Sequence, residues 1–476
     1  MTDSTPAPRL GRDCSHWRSV ALLAAGALFM ENLDGTVIAT AIPRMAVSFH
    51  TAPAALNVGI SAYFLTLAVF IPISGWIADR FGARSVFVTA IALFTLSSIL
   101  CGLSDGLPTF TLMRIAQGIG GAMMVPVGRL IVLRSTAKAD LIAAIAYITW
   151  PALAAPMLGP PLGGFITTYA TWRWIFWLNA PLGVVAIAFA FLLVPNSKAD
   201  RRTRFDLLGF VTSGAACLSL MYALEQIAAA STAWAQVALS LALCAAMTAV
   251  GLRHLFRASA PLLDLRALGV RSFAIVLSAG SLFRMAISAT PFLLPLMFQV
   301  GYGMNPLRSG LLVLALFAGN LFMKPATTPI LRRYDFRSTL IVNGLATSAL
   351  LLCCAFIGPG TSLWVIVAIL FAGGLSRSMQ FTCVNTLAFA DIPQEWMSGA
   401  NTLSSMAQQI SMGMGVALGA LALKVSGGLA VFCGLSEIPA FKFRLAFVFV
   451  ALLALAAVLD SVRLDRAAGR HLRVAE

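Results

Sequence analysis

Long apolar runs, broken by short polar, Pro- or Gly-bearing stretches, recur along almost the whole chain. Most exceed the roughly 18 to 20 residues that cross a bilayer as a helix. The pattern predicts about fourteen membrane helices, over 18–43, 56–78, 84–104, 109–133, 140–166, 172–194, 206–230, 234–256, 272–299, 306–331, 337–358, 362–387, 396–424 and 441–462. The expected fold class is therefore an all-α polytopic membrane protein.

Composition agrees: the 476 residues are 59% hydrophobic and only 11% charged, too few charges for the exterior of a water-soluble chain. A net charge of +15 raises the question of nucleic acid, and the placement of the basic residues answers it. With the N-terminus inside, most Lys and Arg fall on cytoplasmic segments: Arg201, Arg202 and Arg204; Arg253 and Arg257; Arg332, Arg333 and Arg337; and the tail Arg463, Arg466, Arg470 and Arg473. Basicity sets topology, and no nucleic-acid partner is expected. The four spaced arginines of the tail form only a weak polybasic cluster toward acidic lipid.

The eight cysteines are scattered, most of them inside apolar runs and without C-x-x-C pairs, so they read as small core residues. The polar segment Met1 to Arg18 reads as a retained cytoplasmic tail, since the first span is too long for a cleaved signal peptide. Both termini are expected in the cytoplasm of a bacterial-type inner membrane.

Six spans end at Pro195, and a basic linker, Asn196 to Asp206 (NSKADRRTRFD), follows. Two spans poor in polar residues lead to a second basic connector, Arg253 to Arg271, and six more spans come after it. The expected organisation is 1–195, a six-helix bundle; 196–264, the linker with two added helices; and 265–476, a second six-helix bundle with a basic tail. A short repeat supports related halves: Ala78 to Arg84 (ADRFGAR) is echoed by Leu331 to Arg337 (LRRYDFR), with Arg333 at Arg80, Tyr334 at Phe81 and Arg337 at Arg84.

Charged residues inside the spans are the candidates for chemistry. An acid in hydrocarbon costs several kcal/mol unless it is neutralised, paired or faces a cavity. Asp34 lies in the first span, within Leu33 to Pro43 (LDGTVIATAIP), with Glu31 three residues earlier on the same helical face. Asp34 reads as a proton carrier or as a structural acid bonded to a neighbouring helix; Glu31 reads as its partner or as part of a wet vestibule. Arg114 opens Arg114 to Ala122 (RIAQGIGGA) in the fourth span, where a buried Arg must find an acid or carbonyls. Gly118, Gly120 and Gly121 suit close helix packing. Further motifs are the hairpin Gly75 to Arg84 (GWIADRFGAR), Gly159 to Gly164 (GPPLGG) in the fifth span, and Trp172 to Pro181 (WRWIFWLNAP), read as an aromatic anchor at the membrane interface.

Together these motifs resemble the major facilitator superfamily, specifically its fourteen-span drug:proton antiporter family, the EmrB/QacA group, and within it the MdtD-type members. The resemblance is dense in the N-terminal half and thin in the C-terminal half. It implies a proton-coupled exporter working by alternating access, with proton coupling at Asp34, Glu31 and Arg114. The hairpin resembles the superfamily's G-x-L-A-D-R-x-G-R-K loop, a cytoplasmic latch, with Gly75, Asp79, Arg80, Gly82 and Arg84 in place and Ala83 where a basic residue is usual. GPPLGG resembles the antiporter signature G-P-x-x-G-G and implies a helix hinge at Gly159, Pro160, Gly163 and Gly164, with Pro161 extra and Ala155 where the full pattern has another Gly.

The C-terminal half carries three in-span cations, Arg284, Lys324 and Arg377, while its spans nine to thirteen hold no Asp or Glu; Asp335 belongs to a hairpin. Fixed cations attract anions and repel cationic ligands, so these three are candidate substrate-binding residues for an anionic or chelate-like metabolite, beside the amphiphilic drugs that the resemblance implies. Each of the three also has a structural reading, Lys324 by reaching the interface and the arginines by bonding carbonyls. No nucleophile–base pair, metal-ligand cluster or P-loop pattern is present, so neither enzymatic activity, a metal, a cofactor nor ATP drive is expected. The expected partners are a small-molecule substrate, protons and the lipid bilayer. The chain is expected to work as a monomer, and no outer loop is long enough to suggest an adaptor protein. A transport-inactive sensor with a transporter fold would carry the same sequence features.

Overall fold

The computed structural model describes residues 16–136, 141–194, 205–228, 232–258, 265–393, 396–432, 441–465 and 468. The expectations placed on the linker 196–204 and on Arg466, Arg470 and Arg473 lie outside these residues. Among the described residues, thirteen helices are long and apolar enough to cross a membrane. Leu141–Tyr169, 29 residues without a charged side chain, makes the fourteenth.

The first six spans are His16–Val37, Asn57–Phe70 with its continuation Ser74–Phe81, Ala83–Leu103, Leu107–Ser135, Leu141–Tyr169 and Asn179–Leu193. The two added spans are Leu207–Ala228 and Trp234–Leu255. The last six are Arg271–Leu296, Pro306–Phe322 with its continuation Lys324–Arg333, Phe336–Phe356, Leu363–Ala390, Met397–Phe432 and Phe441–Ser461.

Packing repeats between the halves. Span one packs on four, five and six, span two on four, and span three on four and six; span nine packs on twelve, thirteen and fourteen, span ten on twelve, and span eleven on twelve and fourteen. The second set is the first moved on by eight spans, the signature of parallel six-span repeats. The bundles meet where span five packs on ten and span two on thirteen, again equivalent pairs. The added hairpin packs on itself, and its first helix lies against spans two and thirteen at the seam.

The buried core is asymmetric along the membrane normal. One large cluster draws on both bundles, from Val37, Ile42, Phe49, Phe110 and Trp172 to Phe292, Phe298, Leu312 and Phe447. It lies at the end away from the chain termini. At the terminus-bearing end the cores are separate, one built from Trp17, Phe87, Phe94 and Val127 and one from Phe273, Phe336, Leu387 and Leu464. The bundles are thus joined by a shared core at one end and keep separate cores at the other.

Three local features differ from the sequence reading. The hairpin after span two is helical through Phe81, and the turn is confined to Gly82, whose φ of 94° favours glycine; Gly75 sits in that helix with open space around it. Span thirteen does not stop at Lys424 but runs to Phe432, because the Lys424 ammonium donates to the Ile227 carbonyl and the Thr232 hydroxyl, both at 2.8 Å. That satisfies the cation at the end of span seven and ties the added hairpin to the second bundle. The aromatic run is divided: Trp174 is exposed, whereas Trp172 and Phe176 are buried and stack edge-on with each other, Trp172 also against Phe49 and Phe176 against Phe110.

Candidate functional site

Asp34 and Arg114 meet inside the first bundle, 2% and 0% exposed. Arg114 Nη1 donates to Asp34 Oδ2 at 2.5 Å and to Gln117 Oε1 at 2.7 Å. Gln117 Nε2 donates to Asp34 Oδ1 at 2.9 Å, and Asn179 Nδ2 donates to the same oxygen at 3.1 Å and to Ser98 Oγ at 3.0 Å. Ser98 in turn donates to the Phe176 carbonyl at 2.9 Å. One carboxylate thus gathers donors from span four and span six, with span three joined through Ser98. Charge-assisted bonds of this kind are the strong ones, and here they stand in a low-dielectric interior.

The ring of Tyr63 on span two covers the other face of the guanidinium, 4.2 Å from centroid to Cζ, a desolvated cation–π contact. Small residues create the room. A Cβ at Gly59 would lie 2.5 Å from the Phe110 ring and 3.7 Å from Arg114 Cγ, and one at Gly118 would lie 2.9 Å from the Tyr63 carbonyl. Spans two and four therefore close around Arg114 only with glycine at both places.

Glu31, one turn before Asp34, stands apart from this network; its Oε2 is buried without a hydrogen-bond partner among the described residues. Gln117, Asn179, Ser98 and Tyr63 are members of the site that charge-based reading of the sequence did not single out. Their signal was weak: neutral polar residues in membrane helices join helices as readily as they form sites.

At the hairpin, Asp79 is half-buried and Arg80 exposed, with the Arg80 guanidinium over the rings of Trp76 at 5.6 Å and Phe81 at 6.0 Å. Arg84 is partly buried in the first turn of span three. Ala83 is 1% exposed, so the position that usually carries a charge is here under the turn.

The GPPLGG segment lies where spans one, five and ten converge. A Cβ at Gly159 would lie 2.2 Å from Thr36 Oγ1, one at Gly163 would lie 2.3 Å from the Val37 carbonyl, and one at Gly164 would lie 2.5 Å from the Pro306 carbonyl. From the other bundle, a Cβ at Gly310 would lie 2.2 Å from the Pro160 carbonyl. The helix is continuous through Pro151, Pro156, Pro160 and Pro161. Backbone meets backbone across the seam, with Leu307 N donating to Thr168 Oγ1 at 3.2 Å and Gln299 Nε2 to the Thr40 carbonyl at 3.0 Å. A Gly164→Val side chain has nowhere to go without parting spans five and ten. We expect it to raise, several-fold, labelling of Leu307→Cys by a membrane-impermeant maleimide applied from the side opposite the termini.

In the second bundle the three cations gather about one face of span twelve. Arg284, 1% exposed, donates from Nη2 to Asn385 Oδ1 at 2.7 Å, and Lys324 Nζ donates to Thr382 Oγ1 at 3.3 Å. Phe381 lies under both Arg284 and Arg377, each with Cζ 5.8 Å from the ring centroid. Arg377 differs in direction: it borders a cavity among spans nine to twelve.

Comparison with known proteins agrees with this architecture. Over residues 24–416 the chain matches the family model of the Major Facilitator Superfamily. It is 36% identical over 396 residues to MdtD of Serratia proteamaculans, a protein named for multidrug resistance, covering 83% of each chain. The MdtD of Pectobacterium carotovorum is 36% identical over 408 residues, covering 84% of this chain and 86% of that one. Among solved structures, a bacterial homologue of the lysosomal transporter Spinster, inward-facing and unoccupied, superposes with a TM-score of 0.66 at 16% identity, covering 96% and 98% of the two chains. The POT family transporter PepTSo superposes with a TM-score of 0.67 at 14% identity, covering 94% and 99%. The shared helical repeat, the match over most of the length and the MdtD relatives together place this chain in the major facilitator superfamily, to which it belongs as a multi-pass membrane transporter.

Proposed function

We propose that this protein is a proton-coupled exporter of the bacterial inner membrane, exchanging substrate outward for protons inward by alternating access. The carrying observation is the buried Asp34–Arg114 pair, whose carboxylate also holds Gln117 and Asn179. Protonating Asp34 removes the charge that Arg114 faces and turns one of its oxygens from acceptor to donor. Arg114 then loses its counter-charge and the two amides face a weaker, neutral acceptor, so the ties of spans four and six to span one loosen and the three are free to adopt a second arrangement. In this reading Glu31, one turn nearer the terminus-bearing end, passes protons to Asp34, and the Asp79 hairpin latches that end.

The asymmetric core supports the conformational half of this reading. A shared core at one end with separate cores at the other is the arrangement of a carrier open toward its termini, which we place in the cytoplasm on the positive-inside pattern. The GPPLGG seam, with its backbone-to-backbone approach to span ten, is the joint that must part when the far end opens.

For the substrate, the MdtD relatives favour amphiphilic drugs, whereas Arg284 and Lys324, with no acid on spans nine to thirteen, favour a small anionic or chelate metabolite. Substrate-induced proton movement in proteoliposomes under a pH gradient, with a lipophilic cation and a polycarboxylate offered separately, decides between them. Proton flux with the first alone supports the drug reading, and flux with the second alone the anion reading. No flux with either, from protein shown to be folded, favours a sensor with a transporter fold and sinks the exporter.

A further inference from the structure

The added hairpin stands off from the core on one side. Span eight packs extensively on span seven alone, and between it and the seam of the two bundles lies a cavity of about 140 Å³. Its walls come from four helices: Leu65 of span two, Cys217 and Met221 of span seven, Cys244 and Thr248 of span eight, and Met414 of span thirteen. The lining is almost wholly apolar, and among the described residues it includes no charged side chain. Thr248 is itself exposed, so the mouth opens outward past span eight, into the hydrocarbon that surrounds a membrane helix at this depth.

Size and depth say what fits. An apolar cavity of about 150 Å³ stays dry and takes a benzene-sized body, so this one suits a short stretch of hydrocarbon and offers nothing to a headgroup or an ion. Cys217 and Cys244 lie midway along helices of 22 residues, about 15 Å from either end at roughly 1.5 Å per residue. The apolar part of a bilayer is roughly 30 Å thick, so a phospholipid chain anchored in either leaflet ends at this depth. Atoms lining an unfilled space forfeit their dispersion contacts, and a chain end entering from the side restores them.

From the apolar lining, the volume, the mid-membrane depth and the lateral mouth, we propose that the cavity is a lipid site that holds the end of a phospholipid acyl chain. The chain packs between the added hairpin and the seam, where Ser61 of span two donates to the Gly413 carbonyl of span thirteen at 3.0 Å. Lys424 ties the hairpin to the second bundle at the end away from the termini; over the middle of the membrane, span eight rests on lipid. This goes beyond the transport reading and is independent of it, since the chain is a packing partner rather than cargo.

The test uses the full chain in lipid nanodiscs, one copy to each, containing a phosphatidylethanolamine with a photoreactive diazirine either at the end of one acyl chain or beside its glycerol ester. Peptide mass spectrometry reads which residues are labelled after illumination. The chain-end probe is expected to mark Met221 and Met414 more heavily than Leu241 and Leu243, which are exposed on span eight at similar depth, and the glycerol-side probe to leave Met221 and Met414 unmarked. Cys244→Phe puts a benzene-sized ring into the cavity, and label at Met221 and Met414 should fall several-fold while Leu241 and Leu243 keep theirs. Because Cys244→Phe could fail to fold, the comparison of the two probes in the unaltered protein stands by itself. Chain-end labelling of Met221 and Met414 no heavier than that of Leu241 and Leu243, equal labelling of the cavity by both probes, or unchanged labelling in a folded Cys244→Phe protein overturns the site. None of these measurements needs substrate or a proton gradient, so a failed exporter assignment leaves them intact.

Discussion

Asp34→Asn is expected to reduce proton-driven transport to background while leaving substrate counterflow across an equilibrated membrane measurable. Asparagine is nearly the same size as aspartate but carries no titrating proton, so the exchange of proton for substrate has no carrier. Its amide is also the wrong shape electrically. Asp34 is surrounded by donors, with Arg114 Nη1 on Oδ2 and both Gln117 Nε2 and Asn179 Nδ2 on Oδ1. Whichever way the new side chain turns, its NH₂ faces a donor, and Arg114 loses its counter-charge. Breaking a buried pair on one side costs about 3–5 kcal/mol, so a lowered melting temperature should accompany the functional loss. Asp34→Glu controls for stability, since it keeps the acid. Full pH-gradient-driven export by a folded Asp34→Asn protein would remove Asp34 from the coupling mechanism.

How much of this was legible in the sequence depends on what kind of residue carried the signal. Charges in apolar runs are rare enough to stand out, and Asp34 and Arg114, each singled out as an in-span charge, are bonded to each other. The hairpin repeat, Arg80 with Arg333, foreshadowed a packing pattern that repeats across all six equivalent spans. Gln117 and Asn179 were harder because an amide in a membrane helix has many uses, and Asn179 sat within a run whose aromatic character dominated it. The glycines of GPPLGG were visible as a pattern, but their partners, Thr36, Val37 and Pro306, lie on spans far apart in sequence. Lys424 misled the boundary of span thirteen because a lysine ends an apolar run unless some carbonyl takes its protons, and that carbonyl belongs to Ile227 on another helix.

Arg114→Gln carries the second large expectation, and its value lies in the double variant. Alone, it leaves Asp34 as a buried acid with only neutral amides as donors and removes the cation from over the Tyr63 ring; a stability loss of about 3–5 kcal/mol is expected, with proton coupling lost. In Asp34→Asn with Arg114→Gln no charge remains buried at the site, and two amides of similar length can bond to each other and to Gln117 and Asn179. The double variant should therefore recover much of the stability lost in either single one, with an interaction energy toward the upper end of the roughly 0.5–3 kcal/mol measured for residues in direct contact. It should not recover proton-driven transport. That division separates the two meanings of a buried ion pair. If the pair merely pinned spans one and four together, restoring stability would restore function as well. If instead the two losses simply add, Asp34 and Arg114 do not act as a unit, and the release of Arg114 on protonation is not what moves the helices.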